Sequence, residues 1–264
     1  MSDPQAAAAP SDRPTGILDA PNEGRTLEAS IDGVVYARQP VRTHLVTAQD
    51  DAAEVLQRYA TPLSEDVALV AVSERMVAIT QGRSHRMVDI RPGRLARFLV
   101  RFVTRPGYGI GLGTAETMQL AIDEVGAPRI LLAAGVSALT KPFGIHGLFY
   151  RVAGPQAAAI DGPTSYTIPP YNESATLGPK DPDGAARRLA AAVERPVAVI
   201  DANDAGCNVL GASPGIDRQL VRRLFADNPL GQAREQTPIA VVRRLEWPPD
   251  RPLPPEPRRR LTPP

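Results

Sequence analysis

The sequence predicts an α+β protein, a mixed sheet with packed helices, and three observations carry that expectation. Continuous apolar runs at 67–72 and 197–200 are short enough for buried strands. Leu95, Phe98, Leu99, Phe102 and Val103 recur at spacings of three and four, the period of a helix with one buried face. The predicted strands and helices do not alternate with the regular rhythm of a doubly wound sheet.

Taken in order, Asp50 or Asp51 caps a helix over 50–59, because an aspartate side chain accepts from the open N–H groups of a first turn. The strand at 67–72 follows, then a helix over 92–103. A second helix runs over 115–125 and stops at Gly126. Apolar stretches at 129–134 and 147–152 read as strands. A third helix starts after Asp183 and carries 185–193, and the strand at 197–200 delivers Asp201. A helix over 217–225 and a strand over 239–242 complete the set. Residues 1–33 and 247–264 are rich in Pro, Ala and charge without periodicity, so both ends are predicted to be disordered. The folded part is then 34–246, with no internal linker or repeat.

The 264 residues carry a formal net charge of +1, so no global basic field recruits nucleic acid. One cysteine, Cys207, excludes an internal disulfide framework. No apolar run approaches the roughly 20 residues of a membrane span, and the first residues lack the pattern of a secretion signal. The expectation is a cytoplasmic protein without a membrane or nucleic-acid partner.

The most informative stretch runs from the 197–200 strand into Asp201, Asn203 and Asp204, then Gly206. These offer hard oxygen donors, which suit Mg²⁺ or Mn²⁺ rather than Zn²⁺. Asn, Asp and Gly are also ordinary turn residues. Asp161 repeats the pattern, an apolar run ending in Asp and then Gly. The glycines at 107, 109, 111 and 113 fit a ligand-approaching loop or a plain connection with Thr114 as helix cap. No strand precedes them and no Lys-Ser/Thr follows, so neither dinucleotide-binding nor P-loop chemistry is implied. His44, His85 and His146 have no metal-ligand spacing. Gln81, Gly82 and Arg83, with Lys141 and Arg151, place polar and cationic groups beside turns; each alone reads as surface charge.

In this order, the pieces resemble the coenzyme F420-0:L-glutamate (γ-glutamyl) ligase family over about 40–245. The resemblance rests on Glu65, Asp66 and the strand that follows with 73–83; on Ala159, Ile160 and Asp161; on Asp181, Pro182 and Asp183 with Arg187, Arg188 and Leu189; on Ile200, Asp201 and Gly206; and on Gly231 and Gln232 before 238–243. It implies a GTP-dependent ligase that activates a carboxylate acceptor such as F420-0 as an acyl phosphate, to which L-glutamate is joined by an amide bond. It implies Mg²⁺ or Mn²⁺, an assisting K⁺, and a homodimer. Carried over residue by residue, Asp161 and Asp201 are the metal ligands, Asn203 and Asp204 complete the shell, and Arg83, Gly231 and Gln232 contact nucleotide or cation.

The chain departs from the family pattern at Glu74 and Arg75, at Ala78 and Ile79, at Gln81 and at Ala202. Apolar groups where polar contacts are expected imply a changed acceptor. Two alternatives follow: a ligase with a different acceptor, or a nucleotide-binding homologue without turnover.

Overall fold

The computed structural model describes residues 15–103, 111–144, 147–231 and 233–259. It is α+β: a seven-stranded mixed sheet with helices packed on it, and a second helical layer closed by a two-stranded ribbon.

Three strands open the chain, β1 (Gly16–Ile17), β2 (Glu28–Ile31) and β3 (Val34–Arg42). They are followed by α1 (Ala52–Ala60), β4 (Val67–Ser73) and α2 (Glu74–Thr80). The next stretch holds β5 (Ser84–Arg86), α3 (Arg94–Leu99), α4 (Ala115–Val125), α5 (Ala127–Thr140), α6 (Leu148–Ala153) and α7 (Pro155–Ala158). Then come β6 (Ser174–Thr176), α8 (Pro182–Val193), β7 (Val197–Asn203), β8 (Gly206–Ala212), α9 (Arg218–Leu224) and β9 (Ile239–Leu245). The large sheet has the order β1-β3-β9-β4-β7-β8, with β2 also on β3. Of these pairings only β4–β7 is parallel.

Side-chain alternation along the central strands builds two cores. Val70, Val72, Val197, Val199, Ile239 and Val241 pack against α1, α2 and α8. Their neighbours Leu69, Ala71, Ala198, Ile200, Ala240 and Val242 pack against α9 on the other face. The third core lies among α3 to α7 and reaches Ala175 and Leu177. Helix starts follow local chemistry. Asp51 accepts from the N–H groups of Ala53 and Glu54, Thr114 forms a capping box with Thr117, and Asp217 accepts from Gln219 and Leu220.

Three expectations change. The stretches 129–134 and 148–152 lie in helices, not strands, with Gly147 as the cap of the second. Period alone does not separate a short buried strand from a buried helix. Here Pro128 sits in the first turn of α5, where its missing N–H costs nothing, and the run that follows is Leu and Ala. Second, residues 15–33 hold β1 and β2 of the main sheet rather than a disordered tail. Third, residues 246–259 have no regular structure but are tied down. Ser30 Oγ donates to Pro254 O at 2.5 Å, and Arg223 pairs with Glu256 at 2.9 Å. Among the described residues no helix is long and apolar enough to cross a membrane.

What holds the N-terminal segment is Arg38, on the central part of β3 and 1% exposed. Its guanidinium donates to Leu224 O at 2.6 Å, to Asp227 at 2.5 and 3.2 Å, and to Thr26 O at 3.0 Å. Breaking a buried ion pair from one side strands the other charge and several acceptors, at a cost of about 3–5 kcal/mol. Arg38→Ala is therefore expected to lower the unfolding free energy by about that amount in urea titrations. A loss below about 1 kcal/mol, the scale of an exposed pair, would contradict this role.

Candidate functional site

The parallel register of β4 and β7 sets the site. Ser73 pairs with Ile200, so Glu74, just past the carboxyl end of β4, and Asp201, the next residue of β7, come side by side where the parallel pairing ends. They open into a cavity of about 550 Å³. Its walls come from 43–46, from Ser73 to Met76, from 158–161 with Tyr166 to Ile168, from 201–205, and from 230–231, 233 and 235–238.

Glu74 and Asp201 are both half-buried. Desolvation pushes the Glu74 carboxyl up to about 8, with the charge of Asp201 adding to it and Arg75 opposing it. Desolvation also raises Asp201, against the Asn203 hydrogen bond and Arg75. The pair is thus short of positive charge. The guanidinium beside it is already committed: Arg75 Nη2 bonds Asp161, and Nη1 reaches Thr167 Oγ1 at 3.3 Å. Asp161 is held in place by its backbone, which exchanges two 2.8 Å hydrogen bonds with Thr176. One guanidinium therefore serves three carboxylates, Glu74, Asp161 and Asp201. The three side chains offer hard oxygen donors, though among the described residues no group of three or more His, Cys, Asp or Glu stands close enough together to hold a metal ion.

Asn203 and Asp204 sit at the tip of the β7–β8 hairpin. Asn203 closes the turn, with its Oδ1 accepting from Ala205 N at 2.9 Å and its Nδ2 lying 3.4 Å from Asp201 Oδ1. Asp204 lines the cavity, and its Oδ1 accepts from Arg25 at 2.8 Å. All four members of the predicted donor set, Asp161, Asp201, Asn203 and Asp204, line the cavity, with Asn203 and Asp204 also serving the turn and the Arg25 ion pair. Cys207 is half-buried, and its thiol is pushed up to about 12 by desolvation and then by Asp201, which leaves it unreactive.

Gly231 lines the cavity at φ +78°, where a Cβ would stand 2.5 Å from the Glu235 carboxyl carbon. Only glycine fits that turn. Gln232, residues 104–110 of the glycine-rich loop and His146 lie outside the described residues. Arg83 is elsewhere: buried, it donates to Gly178 O at 2.6 Å and to Glu124 at 2.7 Å, in a separate depression with β5 and α4. It ties the ribbon to the helical layer.

Sequence reasoning missed Glu74 and His44. Glu74 carried the same signal as Asp201, an apolar strand ending in a carboxylate. His44 lines the cavity with its Nε2 2.9 Å from Asp50 and its Nδ1 2.9 Å from Tyr59 Oη. Burial opposes the charge of Asp50, but Thr47 and His44 outweigh it and hold the carboxyl below its ordinary value. Both partners are far from His44 in local pattern, so only the fold reveals them.

A scan of protein-family models and a search of curated proteins return no match to the chain.

The raised carboxyls give stability a defined pH dependence. A folded-state value above the ordinary 4.5 of Glu74 means the folded chain holds more protons than the unfolded one until about pH 8. Stability, measured by urea unfolding in the presence of a chelator, is expected to fall as pH rises across that window. In Glu74→Gln the fall should be largely absent. An unchanged slope in that variant would show that Glu74 is not the group responsible.

Proposed function

We propose that the chain is a divalent-metal- and GTP-dependent ligase with the F420 γ-glutamyl ligase kind of fold, joining an amine, L-glutamate by resemblance, to a carboxylate acceptor through an acyl phosphate. One observation carries the reading. Four stretches singled out by the family resemblance, around Ser73 to Ile79, Asp161, Asp201 and Gly231, line a single cavity. They are far apart in sequence, and a chance set of turns would not be expected to converge.

Bound Mg²⁺ or Mn²⁺ would neutralise phosphate charge, which is the main demand of phosphoryl transfer. Glu74, Asp161 and Asp201 are the residues that would hold it. The protein groups supply position. Arg75 ties the α2 side of the cavity to the 161–167 loop, and Gly231 lets backbone approach a ligand closely. Leu45, Val46, Met76, Ile79 and Ile168 give an apolar wall that excludes water from an activated carboxylate. That wall, and Ile79 in particular, is the basis for an acceptor different from F420-0. K⁺ remains an assisting ion within the same proposal.

A ligand that binds only the native state raises the melting temperature. Mn²⁺ with GTP is expected to do so, and GTP with Mn²⁺ to release phosphate only when an amine and a carboxylate acceptor are both supplied. Binding without phosphate release across an acceptor panel would favour the second reading, a nucleotide-binding homologue without turnover, which the apolar Ile79 also supports. No shift with any nucleoside triphosphate and divalent ion would sink both.

The reading includes a homodimer. Support comes from α5, where Leu131, Leu132 and Leu139, followed by Phe143, are exposed with no charge between Arg129 and Lys141. Light scattering on the purified protein is expected to give twice the 28.2 kDa chain mass. Leu132→Glu with Leu139→Glu should give the monomer, and a monomeric wild type would remove this part of the reading.

A further inference from the structure

The stretch 246–259 lines no part of the cavity, yet its backbone is tightly restricted. Every residue from Arg251 to Pro257 is a proline or precedes one. Proline fixes its own φ and pushes the residue before it into extended backbone. Such a run forms a polyproline II helix, left-handed, with three residues per turn and no internal hydrogen bonds. Burial follows that period. Along 251–259 only Pro254 and Pro257, three apart, are half-buried, and the rest are exposed. Their ridge faces the body of the protein. Pro254 O accepts from Ser30 Oγ at 2.5 Å and Pro255 O from Ser30 N at 3.5 Å, on the open edge of β2. Lacking N–H groups, the prolines satisfy that edge without extending the sheet. A second ridge is partly engaged. Glu256 pairs with Arg223 at 2.9 Å, and Arg259 lies against Gly206, where a Cβ would stand 3.0 Å from its Nε. Arg251 stacks on Trp247, its guanidinium 4.2 Å from the ring centre, and its carbonyl accepts from the indole at 3.2 Å.

The third ridge presents Pro252, Pro255 and Arg258 to solvent, one turn or about 9 Å apart, with Leu253, 52% exposed, beside them. Glu256 is the one acidic residue of 251–259 and already has its partner, so the outward ridge carries only positive charge. We infer that residues 251–258 are a docking ligand for a partner domain that reads polyproline helices, one with an aromatic-lined groove and a carboxylate pocket. Aromatic faces pack on the proline rings and Leu253, and the carboxylate takes Arg258 as a charge-assisted pair. The contacts to β2, α9 and Trp247 hold the helix in its bound form before the partner arrives, so association costs little chain freedom. A nucleic acid would use the arginines and ignore the prolines; Pro252, Leu253 and Pro255 on the outer face favour a protein groove. The inference is independent of the ligase reading, which concerns a cavity that this segment does not line.

The test uses purified SH3, WW and EVH1 domains, classes that read such helices, each ¹⁵N-labelled and titrated with the unlabelled full chain. The SH3 domains are chosen to carry an acidic pocket in the groove, and their groove resonances are expected to shift. Arg258→Ala should weaken that binding roughly tenfold, the loss of one charge-assisted hydrogen bond. Pro252→Ala combined with Pro255→Ala should abolish it. These positions are exposed, so each variant is expected to keep the wild-type melting temperature. Should the double proline variant fail to fold, Leu253→Asp, which places a like charge against the acidic pocket, decides in its place. No shift in any domain of the panel overturns the inference. So does binding that the proline and Leu253 variants leave unchanged. Binding of a single-stranded oligonucleotide that falls in Arg258→Ala but not in the proline variants, with no domain bound, overturns it in favour of a charge contact to nucleic acid.

Discussion

The parallel pairing of β4 with β7 is the constraint on which the site depends. Ladder bonds fix Ser73 opposite Ile200, and the chain has no freedom left in where Glu74 and Asp201 emerge. Two carboxylates brought together at the edge of a packed sheet repel each other and lose hydration. Arg75 offsets part of that cost, but Asp161 competes for the same guanidinium. Stability is therefore spent at this point of the fold, which is where a functional site is expected to conflict with packing.

The rest of the architecture supports that junction. The core against α1, α2 and α8 holds the inner faces of β4 and β7, and the α9 core holds the outer ones. The helical layer contributes the opposite wall, since α7 leads directly to Ile160 and Asp161, and the Asp161–Thr176 bridge fixes that wall to β6. The described segments nearest the two ends help to close the structure. Residues 22–27 brace the hairpin and the 229–231 turn, while Pro254, Pro255 and Glu256 lie against β2 and α9.

Much of this was legible in the sequence, for identifiable reasons. The central strands announce themselves as apolar runs too short for helices, and α1 and α4 by caps whose side chains bond the first turn as expected. Asp161 and Asp201, marked by apolar runs that end in a carboxylate, share a cavity with Gly231, which the family resemblance points to. What failed were inferences from local composition. Residues 129–134 look like strand because apolarity was read without its Pro-led start. The N-terminal segment looks disordered because its ordering comes from Arg38 and Asn22, partners supplied by the distant residues 224–237. Asn203 and Asp204 line the same cavity as Asp201, and they also serve the turn and the Arg25 ion pair, because turn chemistry and oxygen ligation use the same residue types. Glu74 was legible and overlooked.

The account's central claim is that Glu74 and Asp201 share a charge deficit that a divalent cation fills. Calorimetric titration of Mn²⁺ into the protein near pH 7, repeated in buffers of different ionisation enthalpy, tests it most directly, because a cation that binds a protonated carboxyl pair must expel a proton. The expected result is proton release on binding that is largely lost in Glu74→Gln. Mn²⁺ binding with the same heat in every buffer, or no binding at all, would contradict the claim.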